Sequence, residues 1–591
     1  MKREGNVLPR VNCCPILALL WSLGSVCAPA GEADLDPQYR AAQRANRQRM
    51  AAQYQTALQT ARGGCRNAHE ATLKWLAGQG ARAEAQAYLS ELRRSECGWR
   101  DLDRLAALVD GIAPVKALDE ALKPELTRRR AAARKQLAPP LQDLARRCYE
   151  AGLAGFAYEL VYEMLEADPD HAVAHQALGH VRVGSQWASP YAAAQLQAAR
   201  TYLPGKGWVE AAHAARVQNG EWFENGAWST QGEADAKHAA LANPWVLETE
   251  HFILKSTSSR EQAVAVAERL DAVRELCFRR YLDFFMRGAA KQATGLLFNQ
   301  KAEKKMVVWF MRDEAQYRSI IDREVKSENK ELLKRSVGFY NTASGASFFY
   351  AYGPPETGFV FRTVQHEVTH QILGEFSRVG DGPTWLTEGL AQVLEYGVPD
   401  RDGRLALPPR ARHADVRDAA ELRAGGKLLA LSSLLNMPRE RFHAEPGRHD
   451  HYLVSGALCR FLIDHAHGAY AADLLHYASD CYRNRAKQGI QAYVGLDAAQ
   501  LEAAFHAYLD GSRADGTSAT DERRGADARR PSSSGGPTLV RGRTPEAGGA
   551  EPDRERGPSA AAGNPFERDE AAKTEENPFL NPTRLARGGG G

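Results

Sequence analysis

Thr363-Val364-Gln365-His366-Glu367-Val368-Thr369-His370-Gln371-Ile372-Leu373, followed by Trp385-Leu386-Thr387-Glu388-Gly389-Leu390-Ala391, decides how the rest of this chain is read. Phe361, Val364, Val368 and Ile372 recur at helical spacing, which predicts a helix over 357–378. His366 and His370, four apart, share one face of that helix, where they can hold one metal ion together. Glu367 stands one position along, beside such an ion rather than on it. The division suits hydrolysis. A zinc ion held by three side chains keeps a position open for water and lowers that water's pKa to ~7, and a neighbouring carboxylate takes the proton. Because two histidines at this spacing also occur on plain amphipathic helices, a third ligand decides the matter.

The metzincin arrangement needs a glycine and a histidine where this chain has Leu373 and Phe376, so it is excluded. The gluzincin arrangement needs a glutamate on a second helix. Gly380-Asp381-Gly382-Pro383 breaks the first helix, Pro383 suits the first turn of the next, and Glu388 falls one to two turns inside it. Trp385 to Ala391 closely resembles the Trp-Leu-Asn-Glu-Gly-Phe-Ala segment of gluzincin aminopeptidases, in which the glutamate is the third zinc ligand. The loop from His370 to Glu388 is one residue shorter than in those enzymes. More broadly, 245–508 resembles secreted bacterial gluzincin-like proteins catalogued as a domain of unknown function. The resemblance implies a zincin-like peptidase domain, one Zn2+ ion on His366, His370 and Glu388, and Glu367 as general base and acid. A Gly-x-Met-Glu-Asn segment, with which the aminopeptidases hold a free N-terminus, is missing, and this favours an endopeptidase. Gluzincins often aim a tyrosine or histidine at the oxyanion from beyond the glutamate helix; the resemblance gives Tyr452 that role, with His451 as the second candidate.

Outward from the motif the pattern is α+β. Alternation around Trp245 to Lys255 reads as a strand, 261–285 as a helix, 306–310 as a short buried strand, 316–334 as helix, and 338–340 and 347–352 as further strands. The run Phe348 to Tyr352 is either an interior strand or an edge to which an extended substrate adds. The peptidase domain is therefore placed at 245–510.

On its N-terminal side, 31–140 is rich in helix formers and reads as helical hairpins, with Gly78-Gln79-Gly80 as a turn. Leu144-Ala145 recurs thirty-four residues later as Leu178-Gly179, with Ala157, Val161 and Pro169 between, which resembles a tetratricopeptide repeat over 141–200 and offers a surface for a protein partner. A connector over 201–244 is punctuated by glycine and tryptophan, as at Gly205-Lys206-Gly207-Trp208 and Gly226-Ala227-Trp228. Such tryptophans suit packing on a neighbouring domain, with a sugar platform as the other use.

Met1-Lys2-Arg3, the apolar run Ile16 to Val26 and Ala28-Pro29-Ala30 have the layout of a signal peptide over 1–30, so the mature chain is expected in the periplasm, the cell envelope or outside, with no stable membrane span. The net charge of +3 and 25% charged residues give no global field to recruit nucleic acid, and the basic run from Arg128 to Lys135 reads as a solvated helix face. Six cysteines lie beyond the signal without a CxxC pair; Cys65 with Cys97 and Cys459 with Cys481 are spaced to pair, or each stays a buried thiol. From 511 to 591 the composition is low-complexity and predicts a disordered tail, in which Asn564-Pro565-Phe566 recurs as Asn577-Pro578-Phe579.

The whole reads as an exported zinc metallopeptidase acting on a peptide or protein substrate. Two other readings fit the same residues: a scaffold working through its helical repeats, and a zinc hydrolase of a non-peptide bond.

Overall fold

The computed structural model describes residues 37–94, 102–286, 305–325, 330–334, 336–352, 359–377, 382–400, 404–444 and 446–527. The signal-like segment, Cys97 and the sequence after 527 lie outside the described residues.

The N-terminal part is all helical: α1 (Pro37–Gly63), α2 (Arg66–Gly78), α3 (Arg82–Arg94), α4 (Leu102–Asp110), α5 (Lys123–Lys135), α6 (Ala138–Glu150) and α7 (Ala154–Ala167). Two apolar clusters hold it. Leu73, Leu76, Tyr88, Leu89, Leu105 and Val109 knit α2 to α4, and Tyr54, Leu58, Leu141, Leu144, Leu160 and Met164 knit α1 to α6 and α7. The basic run on α5 is laced with carboxylates, Arg128 and Arg129 on Glu125, Arg130 on Glu91 and Lys135 on Asp168.

The thirty-four-residue period is not carried by the structure. α6 and α7 form an antiparallel hairpin, but α8 (Ala172–Ala177) stops where Gly179 turns at φ +72°, and Leu178 ends a helix instead of sitting within one as Leu144 does. A different repeat takes over from there. Three hairpins, each trailed by a short helix, run in tandem: β1 (Val181–Val183) and β2 (Gln186–Ala188) with α9 (Pro190–Gln197), β3 (Arg200–Leu203) and β4 (Gly207–Glu210) with α10 (Ala214–Gln218), and β5 (Glu221–Glu224) and β6 (Ala227–Thr230) with α11 (Gln231–Lys237). Their turn glycines, Gly184, Gly205 and Gly226, recur every 21 residues, and all adopt positive φ, which glycine takes without steric cost. Tryptophans here serve packing: Trp222 meets Trp245 edge-on at 5.4 Å, and the Arg260 guanidinium lies 3.9 Å over Trp222.

The next domain is built on a five-stranded sheet in the order β10-β11-β9-β8-β7, formed by β7 (Trp245–Glu248), β8 (Phe252–Ser256), β9 (Met306–Met311), β10 (Gly338–Asn341) and β11 (Ala346–Tyr350). The three inner strands are parallel and both edge strands antiparallel. Period-2 alternation assigns each face. Phe348 and Tyr350 point with Phe339 to α13 (Glu314–Glu324) and α14 (Lys330–Leu333), whereas Phe349, Val308 and Leu254 join the main core with α12 (Arg260–Met286). That core also takes in α15 (Phe359–Ser377), α16 (Thr384–Glu395), α17 (Ala414–Ala424), α18 (Leu431–Leu435), α19 (Arg439–Phe442), α20 (Arg448–Gly468), α21 (Ala471–Tyr482), α22 (Ile490–Val494) and α23 (Ala498–Asp527). A minor hairpin, β12 (Val398–Pro399) and β13 (Leu405–Ala406), comes after α16.

Two open alternatives are resolved here, and one expectation changes. The strand at 346–350 is interior, between β10 and β9, so no substrate can add to it. Cys148, Cys277, Cys459 and Cys481 are buried free thiols, which leaves Cys459 and Cys481 unpaired with each other. α23 runs on to Asp527, past Gly511 where the composition predicts disorder, because a helix nucleated on buried Leu501, Phe505 and Leu509 extends at little cost. Among the described residues no helix is long and apolar enough to cross a membrane.

The helical part is bonded to this domain through buried and half-buried charges. Arg47 on α1 pairs with Asp473 on α21 at 2.5 Å, and Arg279 on α12 with Glu159 on α7 at 2.9 Å. Asp283 on α12 accepts the backbone N–H groups of Ala154 and Gly155, capping α7 from outside the helix. Burial pushes the Asp283 carboxyl up to about 6 from its ordinary 3.8, and those two N–H bonds only partly oppose it. With the folded value above the unfolded one, the contribution of this group is fully present below about pH 4 and is lost as pH rises through 6. Asp283→Asn should therefore melt progressively higher relative to wild type as pH goes from 4 to 7, by at most about 3 kcal/mol; a pH-independent difference in thermal melting would contradict it.

Candidate metal centre

α15 is seated by its flanks. Val364, Val368, Ile372 and Leu373 are fully buried in the main core, and Gln371 fastens the helix to the sheet, donating to Val307 O at 3.1 Å and Gly345 O at 2.9 Å while accepting from Ser347 Oγ at 2.8 Å. His366, Glu367 and His370 are left facing α16.

α16 supplies the third group. Pro383 stands at its N-cap, one position earlier than the sequence suggests, and Glu388 lies in its second turn. The helix crosses α20 so closely that a Cβ on Gly389 would lie 2.6 Å from both Cys459 Sγ and Ser455 O. This glycine, which the sequence offers only as part of a motif, is what lets Glu388 come forward. On its other side, Tyr281 of α12 donates to Leu390 O at 2.8 Å.

The result is a compact donor set. His366 Nε2 and His370 Nε2 are 3.2 Å apart, and each is 3.4 Å from Glu388 Oε2. All three residues are buried, with Glu388 only 2% exposed. His366 Nδ1 is engaged with Glu395 Oε2 at 3.1 Å, and Glu395 Oε1 accepts from Arg362 at 2.8 Å. A carboxylate behind the imidazole fixes which nitrogen faces the centre and raises its basicity.

Two imidazoles and a carboxylate within 4.8 Å of one another fit a cation. Glu388 Oε2 and Glu367 Oε1 are buried acceptors without a well-formed hydrogen bond, which marks the space between them as wanting a positive partner. The charge balance says the same. Burial disfavours a charged His366, yet Glu388 and Glu395 override it and hold the imidazole well above its ordinary range; the paired histidines in turn override burial at Glu388 and hold it well below the carboxylate range. Metal binding displaces protons held by ligands of this kind. An N,N,O set is one that zinc takes.

Glu367 is 1% exposed, and its Oε2 accepts the Tyr340 N–H of edge strand β10 at 3.1 Å. Burial is the main influence on it and pushes its carboxyl up to about 7. Tyr452 on α20 is buried, its hydroxyl 3.3 Å from His443 Nδ1; burial first, and then the charges of Glu388 and Glu367, hold that hydroxyl well above its ordinary range. His451 turns away, its Nδ1 2.8 Å from Phe442 O.

Sequence reasoning missed Glu395, Arg362, Gln371 and His443. Glu395 was findable, since it is the other acid of this helix and, two turns after Glu388, lies on the same face. Arg362 stands one turn before His366 on α15, a weaker signal of the same kind. His443 comes from the end of a four-residue helix, with no periodicity to announce it.

Residues 360–480 match the sequence family described as "Protein of unknown function (DUF1570)", a span that takes in both ligand helices and Tyr452. Neither a curated protein nor a solved structure matches the chain.

Glu395→Gln should weaken metal binding about 10–100-fold, read by competition with a chromophoric chelator. Gly389→Ala should destabilise the fold by roughly 1–3 kcal/mol in denaturant titration, because α16 and α20 must separate; a variant as stable as wild type would mean that the crossing has room for a methyl group.

Proposed function

We propose that the protein is a zinc-dependent peptidase of the gluzincin type, exported, and acting as an endopeptidase on peptide or protein substrates. The observation that carries this reading is the buried convergence of His366, His370 and Glu388, with the uncommitted Oε1 of Glu367 beside it. Further support comes from the setting of Glu388 in Trp385-Leu386-Thr387-Glu388-Gly389, which resembles the gluzincin glutamate helix.

His366, His370 and Glu388 would hold the ion, which when bound supplies a Lewis acid that polarises a carbonyl and lowers the pKa of water. Glu367 accepts the proton of the attacking water and returns it to the leaving amine. Its carboxylate is aimed for this by the Tyr340 N–H on one oxygen, which leaves the other for the proton. Tyr452 donates its hydroxyl proton toward the oxygen that gains charge, while His443 fixes the direction of that hydroxyl. The burial of all four site carboxyls and imidazoles excludes bulk water, which strengthens each of these interactions.

The test is metal analysis combined with a diverse peptide mixture read by mass spectrometry. Wild type should carry about one zinc per chain and cleave internal bonds. Glu367→Gln should keep the metal and lose cleavage by at least about 100-fold. A zinc-free purified protein, or an equally active Glu367→Gln, would falsify the mechanism. Tyr452→Phe should lower kcat by roughly 100-fold with little change in KM, as expected when a transition-state donor is lost.

A further inference from the structure

Gln365 immediately precedes His366, is 1% exposed, and has no part in the metal chemistry just described. Its side-chain amide reaches across to the end of the neighbouring helix. Nε2 lies 3.0 Å from Leu394 O, 2.7 Å from Glu395 O and 3.1 Å from Gly397 O. These carbonyls belong to the last turn of α16 and the residues just past it, where a helix leaves acceptors without an in-helix partner. Two N–H hydrogens meet three acceptors, so one hydrogen is shared. The amide oxygen is held in turn by Arg269 Nη1 at 3.0 Å, and that guanidinium is braced over the Phe361 ring at 4.6 Å. Arginine offers donors only, so the oxygen must face Arg269 and the NH2 must face α16.

We propose that Gln365 is a positioning residue for the metal centre: it ties the turn of α15 that carries His366 to the end of α16, and so sets where Glu388 and Glu395 stand. The inference rests on reading His366, His370 and Glu388 as a metal centre. Glu395 shows the coupling directly, because its carbonyl accepts from Gln365 while its carboxylate engages His366 Nδ1. α16 is also held in mid-length by the Gly389 crossing and by Tyr281 on Leu390 O, and near its end by Arg362 on the Glu395 carboxylate and by close packing of Gly397 on Leu276 and Leu405; of these Arg362 comes from α15 too, but it holds the Glu395 side chain, whereas Gln365 holds the backbone. Holding the backbone at that end from the turn that carries His366 fixes the direction of approach of both carboxylates.

The test uses the full chain, Zn2+ and Co2+. Gln365→Met keeps length and bulk while removing the amide; Arg269→Gln leaves Gln365 in place but frees its oxygen. Three quantities are read: Zn2+ affinity by chelator competition, the visible absorption of the Co2+-loaded protein, and the melting temperature of the metal-free protein. Gln365→Met should weaken Zn2+ binding about 10–100-fold and shift the Co2+ bands, with Arg269→Gln moving both in the same direction by less. Should Gln365→Met fail to fold, Arg269→Gln carries the test alone. A folded variant with wild-type Zn2+ affinity and unchanged Co2+ bands overturns the proposal, and so does a lowered metal-free melting temperature with affinity intact, which would make Gln365 a packing residue. Wild type that binds neither ion overturns the metal-centre reading and this proposal with it.

Discussion

Three buried side chains that cannot all be satisfied by one another are the constraint on which this structure turns. His366, His370 and Glu388 approach within 3.2–3.4 Å, too close and too dry to be left as an unpaired carboxylate beside two imidazoles. An ionised group without compensation in such surroundings costs several kcal/mol, so the set is stable only around a cation, whether a proton or a metal. Everything adjacent is arranged to keep the three donors pointed inward: Glu395 behind His366, Tyr340 N–H on Glu367, and apolar helix faces on the outside of both ligand helices.

Holding α15 and α16 at that separation is a packing problem solved from three sides. The sheet grips α15 through Gln371, α20 grips α16 where Gly389 has no side chain, and α12 reaches the Leu390 carbonyl through Tyr281. Each is a short contact to backbone, not a contact between flexible side-chain ends, and that matters because metal donors need placement to within a fraction of an ångström. The helical N-terminal part braces the same frame from behind, since its buried ion pairs land on α12 and α21, both of which border the main core.

The sequence was most legible where periodicity was strong. The helix around His366, the helix after Pro383, the long α12 and the strands at 306 and 338 all declare themselves through repeating apolar positions, and the three site ligands follow from motif spacing on those helices. It was least legible where a contact is tertiary. Glu395 and His443 do their work through partners 29 and 9 residues away, and Gly389 matters only because Ser455 and Cys459 lie across from it. The 34-residue period misled, since matching small residues at Leu144-Ala145 and Leu178-Gly179 sit in different structural contexts. Meanwhile the true period of 21, marked by turn glycines at 184, 205 and 226, was hidden because the hairpins between them share little beyond a glycine and a tryptophan.

The tandem hairpins also bear on the scaffold reading. A helical repeat that recruits partners must expose the face on which repeats stack, yet here α7 presents Glu159 to Arg279 and lends its first N–H groups to Asp283, so one flank is already occupied by α12. The hairpins continue the chain along that same helix: Arg260 in its first turn is stacked on Trp222, and Tyr202 of β3 reaches Glu268 two turns further on. The N-terminal half therefore acts on α12 along much of its length, and α12 is the helix that carries Tyr281 to α16 and Arg269 to Gln365. Its mechanical connection runs toward the His366–His370–Glu388 group.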